Sequence, residues 1–539
     1  MARMMNNKKE KKSIVENSKR SVLQVIFSRT MLIMLLILLQ FAYLIGRMYA
    51  FAEYVPIFLG SELLVVAIMM TIIINSKENP MIRLSWCILV GVFPILGSVV
   101  YVVLKFDLGY RVQQRRIIET EAAAEHYLRN QDAVLEEVKN KDMQTYQIAG
   151  YLRKHSASTI NKNTDVTYFP IGEEMFEAMV TQLKQAEKFI FLEYFMISYG
   201  HMWNTILNVL IEKAKEGVEV RLLYDGSCAV YLLPYDYPKH IEELGIQCRM
   251  FSAPIPFIST HYNNRDHRKI MVIDGRVAFT GGVNLCDEYI NRNSPCGHWK
   301  DVGIMVQGDA VRDFTLMFLQ MWSATERKPV TRELLLETNV EKYLADAREC
   351  AEQKISESGY VIPYRDSPVD KENVGEMVYL DILNQAKDYV YIMTPYLILD
   401  HEMQTALSFA AKRGVDVRII LPHIPDKKYA FVLAKGHYAE LLAAGVKIYE
   451  YTPGFVHAKM FVSDNCRAVV GTVNLDYRSL YWHYECSAYL YQIPAIRNMV
   501  TDVKNTLQEC QQITMEDVKN RKLASKLAGA LFKLVAPLM

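Results

Sequence analysis

The chain has 539 residues, 51% hydrophobic and 22% charged, with 61 Lys and Arg against 60 Asp and Glu for a formal net charge of +1. That apolar content excludes a disordered chain, and the balanced charge argues against a protein that tracks nucleic-acid phosphates through a basic excess. Nine cysteines, an odd and scattered set, give no disulfide framework and point to a reducing compartment.

The first elements read as membrane segments and make residues 1–110 an N-terminal membrane region. Met31–Ile45 lies between Arg29 and Arg47, which leave 17 residues between them, the short limit for a spanning helix. Tyr54–Ile74 is long enough but carries Glu62, and Leu84–Leu104 offers 21 residues without a charge, the strongest span of the three. A cleaved signal peptide would have a shorter apolar core and would leave the later two segments unexplained. Lys8, Lys9, Lys11, Lys12, Lys19 and Arg20 favour a cytoplasmic N-terminus, and Lys105, Arg111, Arg115 and Arg116 favour the same side after the third segment. Both flanks inside require an even number of crossings. The expectation is a multi-pass cell-membrane protein in which segments two and three span, the first lies in the interface or re-enters, and the remainder is cytoplasmic.

Residues 111–159 read as a helical linker. From 160 the chain alternates strands and helices, and it does so twice. FIFLEYFM (189–196) followed by IEKAKEGVEVRLLYD (211–225) parallels YVYIMTPYL (389–397) followed by LSFAAKRGVDVRIILP (407–422). Each is a buried β run, an amphipathic helix ending in Gly, then a β-branched strand. IEELGIQCRMF (241–251) and AELLAAGVKIYEY (439–451) repeat the helix–Gly–strand step. The fold class is α/β: two pseudo-twofold-related sandwich lobes, 160–325 and 376–515, forming one bilobal unit. A polar connection, 326–375, with Pro329, Gly359 and Pro363, separates them.

One motif closes each repeat. HRKIMVIDGRVAFTGGVN runs from His267 to Asn284, and HAKMFVSDNCRAVVGTVN from His457 to Asn474. Lys269, Asp274 and Asn284 hold the same offsets from His267 that Lys459, Asp464 and Asn474 hold from His457. Residues i and i+2 of a strand share a face, so each His points the same way as its Lys. Two such units facing one another surround a phosphodiester with two imidazoles, two cations and two amides. Lys and Asn suit the non-bridging oxygens; one His can attack phosphorus and the other can protonate the leaving alkoxide. No cluster at ligand spacing competes with this pair, and the lysines already supply positive charge, so neither metal nor cofactor is expected.

The two segments resemble the paired HKD motifs of the phospholipase D superfamily, with His267, Lys269, Asp274, His457, Lys459 and Asp464 as the catalytic motif residues. GGxN and GTxN resemble the endings of those motifs, although Gly282 and Thr472 stand where the family often has Ser. Asp274 and Asp464 are expected to brace the strand–turn behind the site. Two further acids follow, Asp301 in HWKDVGIMV and Glu485 in YWHYECSAYL, 34 residues after His267 and 28 after His457. The resemblance implies that they orient the imidazoles. By spacing, Glu485 goes with His457, and a paired carboxylate suits a proton donor. The resemblance further implies that His267 is the nucleophile and that a phosphohistidine forms.

WCILVGVFPILGSVVYVV, PDKKYAFVLAKGHYAELLAAGVKIYEYTPGFVHAKM and GTVNLDYRSLYWHYE extend the resemblance, from about residue 57 onward, to the bacterial cardiolipin synthases. That family implies transfer of a phosphatidyl group between two phosphatidylglycerol molecules, with release of glycerol. The expected partners are phosphatidylglycerol and membrane lipid, and no nucleic acid. A phospholipase D, or a phosphatidyltransferase with another acceptor, would use the same residues. A nuclease is disfavoured by charge and anchors, and an inactive membrane scaffold by the intact His, Lys and Asn of both copies.

The last element, 516–539, is an amphipathic helix. Leu523, Leu527, Leu531, Leu534 and Leu538 form a stripe flanked by Lys522, Lys526 and Lys533. Two readings stand open: the stripe lies on lipid, or it packs on the catalytic unit.

Overall fold

The computed structural model describes residues 55–105, 108–128, 131–252, 264–326, 340–344 and 359–538. The Met31–Ile45 segment and the basic residues before it lie outside the described residues. The chain divides into two compact units, one of residues 1–111 with 254–262, the other of residues 112–253 and 263–537.

In the first unit three helices, Val55–Ile74, Pro80–Val92 and Pro94–Lys105, pack on one another. The uninterrupted span expected over Leu84–Leu104 is therefore not formed. Pro94 divides it, because proline has no N–H for the helix ladder and disfavours helical geometry in the residue before it. Phe93 accordingly turns out of the helix at φ −127°, ψ 77°. At 1.5 Å per residue each half rises about 20 Å, short of the roughly 30 Å hydrocarbon core. The helix Val55–Ile74 has side chains described from Glu62 onward, and among the fully described residues no helix is long and apolar enough to cross a membrane. The expectation that segments two and three both span is thereby corrected at segment three.

In the second unit, the first half contributes β1 (Thr164–Phe169), β2 (Phe189–Tyr194), β3 (Glu219–Asp225), β4 (Gln247–Phe251), β5 (Lys269–Ile273), β6 (Val277–Gly281), β7 (His298–Lys300) and β8 (Gly303–Gly308). The second half contributes β9 (Tyr360–Asp366), β10 (Tyr389–Met393), β11 (Asp416–Pro422), β12 (Lys447–Tyr451), β13 (Gly454–Val456), β14 (Met460–Ser463), β15 (Arg467–Gly471), β16 (Glu485–Tyr491) and β17 (Cys510–Ile513). One sheet has the order β1-β8-β6-β5-β2-β3-β4. The other, read as β9-β16-β15-β14-β10-β11-β12-β17, repeats that order and adds an edge strand.

The central strand β2 is buried throughout, in keeping with a sequence that is apolar except at Glu193. It pairs parallel with β3 and antiparallel with the motif strand β5, as β10 does with β11 and β14. The helices His201–Lys215 and His401–Lys412 make the first crossovers. Gly217 and Gly414 follow them at φ 94° and 96°, a conformation that glycine reaches without strain. One apolar cluster draws on both sheets, joining Ile270 and Val272 of β5 to Met460 and Val462 of β14. The helix Val311–Ala324, buried from end to end, lies in that cluster against β5 and β9. This shared core makes the two lobes one body.

Two boundaries differ from expectation. The stretch 326–375 is not connection throughout, because β9 is the edge strand beside β16. Pro363 there reads as a breaker, but an edge strand tolerates proline where no ladder donor is needed. The helices Asp132–Lys141 and Met143–Ser156 are also more than a linker: Val138, Ile148 and Leu152 are buried in the second lobe's core.

Candidate active site

The two histidines are held by backbone from the opposite half. The His267 N–H donates to the Tyr484 carbonyl at 2.9 Å, and the Tyr484 N–H to the Arg265 carbonyl at 2.8 Å. The His457 N–H donates to the Lys300 carbonyl at 2.7 Å, where β13 pairs parallel with β7. The residues that follow Lys300 and Tyr484 are Asp301 and Glu485, so these exchanges carry each carboxylate across to the other half's imidazole. Glu485 Oε2 lies 2.9 Å from His267 Nδ1, and Asp301 Oδ2 lies 2.6 Å from His457 Nδ1. The pairing of Glu485 with His457 expected from spacing is thus reversed. Each carboxylate fixes Nδ1 as the protonated nitrogen and leaves Nε2 for chemistry.

Glycine makes room for one of these acids. A Cβ on Gly282 would lie 1.9 Å from Asp301 Oδ1. In the second half Thr472 occupies the matching position and donates its hydroxyl to Glu485. The hydroxyl at this position of the motif is therefore spent on the carboxylate.

Lys269 and Lys459 are both about 1% exposed and follow their histidines onto the same face. Lys269 Nζ donates to the His267 carbonyl at 2.7 Å, and Lys459 Nζ lies 2.8 Å from His457 Nδ1. Burial lowers the Lys269 ammonium to about 8 and that of Lys459 to about 7, against the pull of Glu485 and Asp301. Burial, then the charges of Lys269 and Lys459, hold the His267 imidazole well below 6.5. Burial and Lys459 lower His457 to about 4, while Asp301 pulls it upward. Both rings are neutral at pH 7, as a nucleophilic imidazole must be.

The remaining motif residues divide. Asn474 is buried with Oδ1 unbonded among the described residues. Asn284 instead accepts from the Met196 N–H at 3.1 Å and donates to the Tyr289 hydroxyl at 2.6 Å. Asp274 accepts from the N–H groups of Glu187, Lys188 and Phe189 at 2.9, 2.7 and 2.8 Å. Asp464 does the same for Lys387, Asp388 and Tyr389 at 2.8, 3.0 and 2.9 Å. These two acids tie the turn after each motif strand to the start of β2 or β10. They brace the site and do not reach its reacting centre.

Aromatic rings line both imidazoles. Phe195 meets His267 edge-on at 4.9 Å, while Tyr289 and Trp299 lie 5.2 and 5.5 Å from His457. His483, which sequence reasoning missed, stands 5.3 Å from the His267 ring with Nδ1 3.5 Å from Glu485 Oε1. Its signal was its place two residues before Glu485, the same i, i+2 relation that joins each His to its Lys. Burial lowers it to about 3, so it too is neutral. Among the described residues, His267, His483 and Glu485 bring ligand atoms within 4.8 Å of one another. The nearby Lys269 ammonium opposes a dication there.

A family described as "Cardiolipin synthase, PLD-like domain" matches residues 179–322 and 379–507. The cardiolipin synthase of Alkalihalophilus pseudofirmus is 32% identical over 87% of this chain and 91% of its own length. An uncharacterized protein of Streptococcus mutans is 50% identical over 87% of this chain and 98% of its own. Among solved structures, the phosphatidylserine synthase of Haemophilus influenzae is similar in fold, with a TM-score of 0.53 at 13% identity, covering 73% of this chain and 98% of that one.

Proposed function

The chain belongs to the cardiolipin synthase family with phospholipase D-like domains and is a phosphatidyl-transferring enzyme, and from that premise we propose that it joins two phosphatidylglycerol molecules into cardiolipin and glycerol at a membrane. The observation that carries this reading is the crossed carboxylate pairing, Glu485 with His267 and Asp301 with His457. It gives two neutral imidazoles with Nε2 free, set among two lysines.

His267 Nε2 attacks phosphorus, and the bond from phosphorus to the glycerol oxygen breaks. His457, protonated at Nε2 by solvent once the bound phosphodiester has raised its pKa, gives that proton to the oxygen, and glycerol leaves. The negative phosphodiester raises the pKa of His457 and of both lysines, offsetting the effect of burial. Lys269, Lys459 and Asn474 take the charge on the non-bridging oxygens. The terminal hydroxyl of a second phosphatidylglycerol then gives its proton to His457 as its oxygen attacks phosphorus. The phosphorus–nitrogen bond breaks and His267 is restored. The aromatic lining favours a lipid alcohol over water as acceptor.

Membrane attachment is supported at both ends of the chain. Leu63, Leu64, Ile68 and Ile72 of the helix Val55–Ile74 are exposed, as are Leu84 and Val99 of the two helices after it. In the C-terminal helix Leu523–Val535, Gly529 is buried against the helix Lys428–Ala444, while Leu523, Leu527, Leu531 and Leu534 face outward. Of the two readings of that stripe, the outward one agrees with contact to an anionic bilayer, with Lys522 and Lys526 at its margin. The eight described cysteines are all free, in keeping with a catalytic unit on the cytoplasmic face.

The test is to incubate the full chain in vesicles of glycerol-labelled phosphatidylglycerol and identify the products. Released glycerol with a four-chain lipid supports the reading; phosphatidic acid instead makes the protein a hydrolase.

A further inference from the structure

Each crossed carboxylate holds an imidazole with one oxygen, and the two halves differ in what meets the other oxygen. In the first half the Val302 N–H, next along the chain, donates to Asp301 Oδ1 at 2.8 Å. In the second half the matching N–H is that of Cys486, and it donates to the Thr472 hydroxyl at 3.0 Å instead. The cause lies in the sequence, because Gly282 has no side-chain acceptor where Thr472 has an oxygen. Glu485 Oε1 is left buried and without a hydrogen bond among the described residues. A buried carboxylate oxygen is costly in that state and calls for a donor.

The side chain that faces it is His483. Its Nδ1 lies 3.5 Å from Glu485 Oε1. Neither of its nitrogens has a hydrogen bond among the described residues, although the residue is only 8% exposed. Burial lowers its pKa to about 3, so the neutral ring carries one N–H to give. The ring is packed beside the nucleophile, 5.3 Å from that of His267 and 6.4 Å from that of Phe195. Its backbone N–H is anchored on the Arg478 carbonyl at 2.8 Å. At the matching place in the first half, two residues before Asp301, stands Trp299, 5.5 Å from His457. Asp301 needs no second side chain there, since the Val302 N–H already serves it.

We propose that His483 is a positioning residue for the nucleophile: its Nδ1–H donates to Glu485 Oε1 as His267 attacks, so the carboxylate is held between two imidazoles. The proposal rests on the phosphatidyl-transfer reading with His267 as nucleophile and adds a residue to it. At 3.5 Å the contact is longer than an ordinary N–H···O bond. Such contacts tighten in the reacting complex. On bonding phosphorus the His267 ring becomes cationic, and a carboxylate fixed at both oxygens meets that charge without turning. His483 itself neither gives up nor takes a proton in this step.

Two variants of the full chain separate the hydrogen bond from the packing. His483→Asn keeps an N–H donor near the place of Nδ1 and loses the ring; His483→Phe keeps the ring and loses the donor. Each is assayed for glycerol release from phosphatidylglycerol and for covalent adduct formation with a nitrophenyl phosphodiester, whose leaving group needs no proton. His483→Phe is expected to lose about 10- to 100-fold on both substrates, the size of one hydrogen bond to a charged group. His483→Asn should recover at least about tenfold of that loss, because the donor is restored. A role in packing alone gives the reverse order, with the phenylalanine variant the faster, and overturns the proposal. A loss in His483→Phe confined to phosphatidylglycerol also overturns it, since His483 would then act on the leaving glycerol. Urea unfolding checks that each variant folds; should His483→Phe fail, His483→Leu takes its place with the same expected loss. If wild-type protein releases no glycerol, the transfer reading fails, whereas the order of the variants on the nitrophenyl substrate still decides the role of His483.

Discussion

Replacing Gly282 with alanine tests how closely Asp301 is held to His457. The added Cβ would stand 1.9 Å from Asp301 Oδ1, whereas real Cβ contacts essentially never fall under 3.0 Å. The carboxylate must therefore retreat by about 1.1 Å, the difference between those two values. It has little freedom to do so, since Oδ1 also accepts from the Val302 N–H at 2.8 Å and Oδ2 bonds His457 at 2.6 Å. A displacement of about 1 Å at a positioning group costs on the order of 100-fold in rate. The loss should fall on proton donation by His457 and not on attack by His267. Gly282→Ala should thus lose about 100-fold in kcat with phosphatidylglycerol. It should lose under about tenfold with a nitrophenyl phosphodiester, whose leaving group needs no proton. Equal loss on the two substrates, or full activity on both, would refute the assignment of Asp301 to His457.

Other consequences are as specific. Lys269→Ala and Lys459→Ala should each lower turnover by about two orders of magnitude or more, measured as glycerol release. Asp274→Ala and Asp464→Ala should act on stability instead, each leaving three backbone N–H groups without their acceptor at a cost of about 2–4 kcal/mol in urea unfolding. On a monomeric phosphodiester, kcat/KM should fall as pH rises through about 7 to 8, where Lys459 and Lys269 lose their charge. Stability should fall in the other direction. His457 takes a proton near 6.5 when unfolded but only near 4 when folded, so the folded state loses ground as pH drops across that window. Urea midpoints between pH 4 and 7 would show the slope.

What could be read from the residues alone was whatever the spacing of one strand encodes. His267 with Lys269, and His457 with Lys459, share faces because two residues of a strand do, and the repeat of that spacing exposed the duplication. The bracing role of Asp274 and Asp464 was also legible. The carboxylate pairing was not, because it depends on backbone exchanged between halves, Tyr484 with His267 and Lys300 with His457. Sequence distance within one half carries no trace of that exchange. Pro363 and Pro94 mislead in opposite ways. The first sits in a strand because that strand is at an edge, and the second breaks an apolar run that composition alone would let span a bilayer. His483 left no signal beyond its place two residues before Glu485.

The central claim is that His267, held by Glu485, is the nucleophile and His457, held by Asp301, the proton donor. The direct measurement is mass spectrometry of the covalent adduct trapped from a nitrophenyl phosphodiester in the His267→Ala and His457→Ala proteins. The account predicts an adduct on the peptide containing His267 in the His457→Ala protein, and none in the His267→Ala protein. An adduct on His457 in the His267→Ala protein would contradict it.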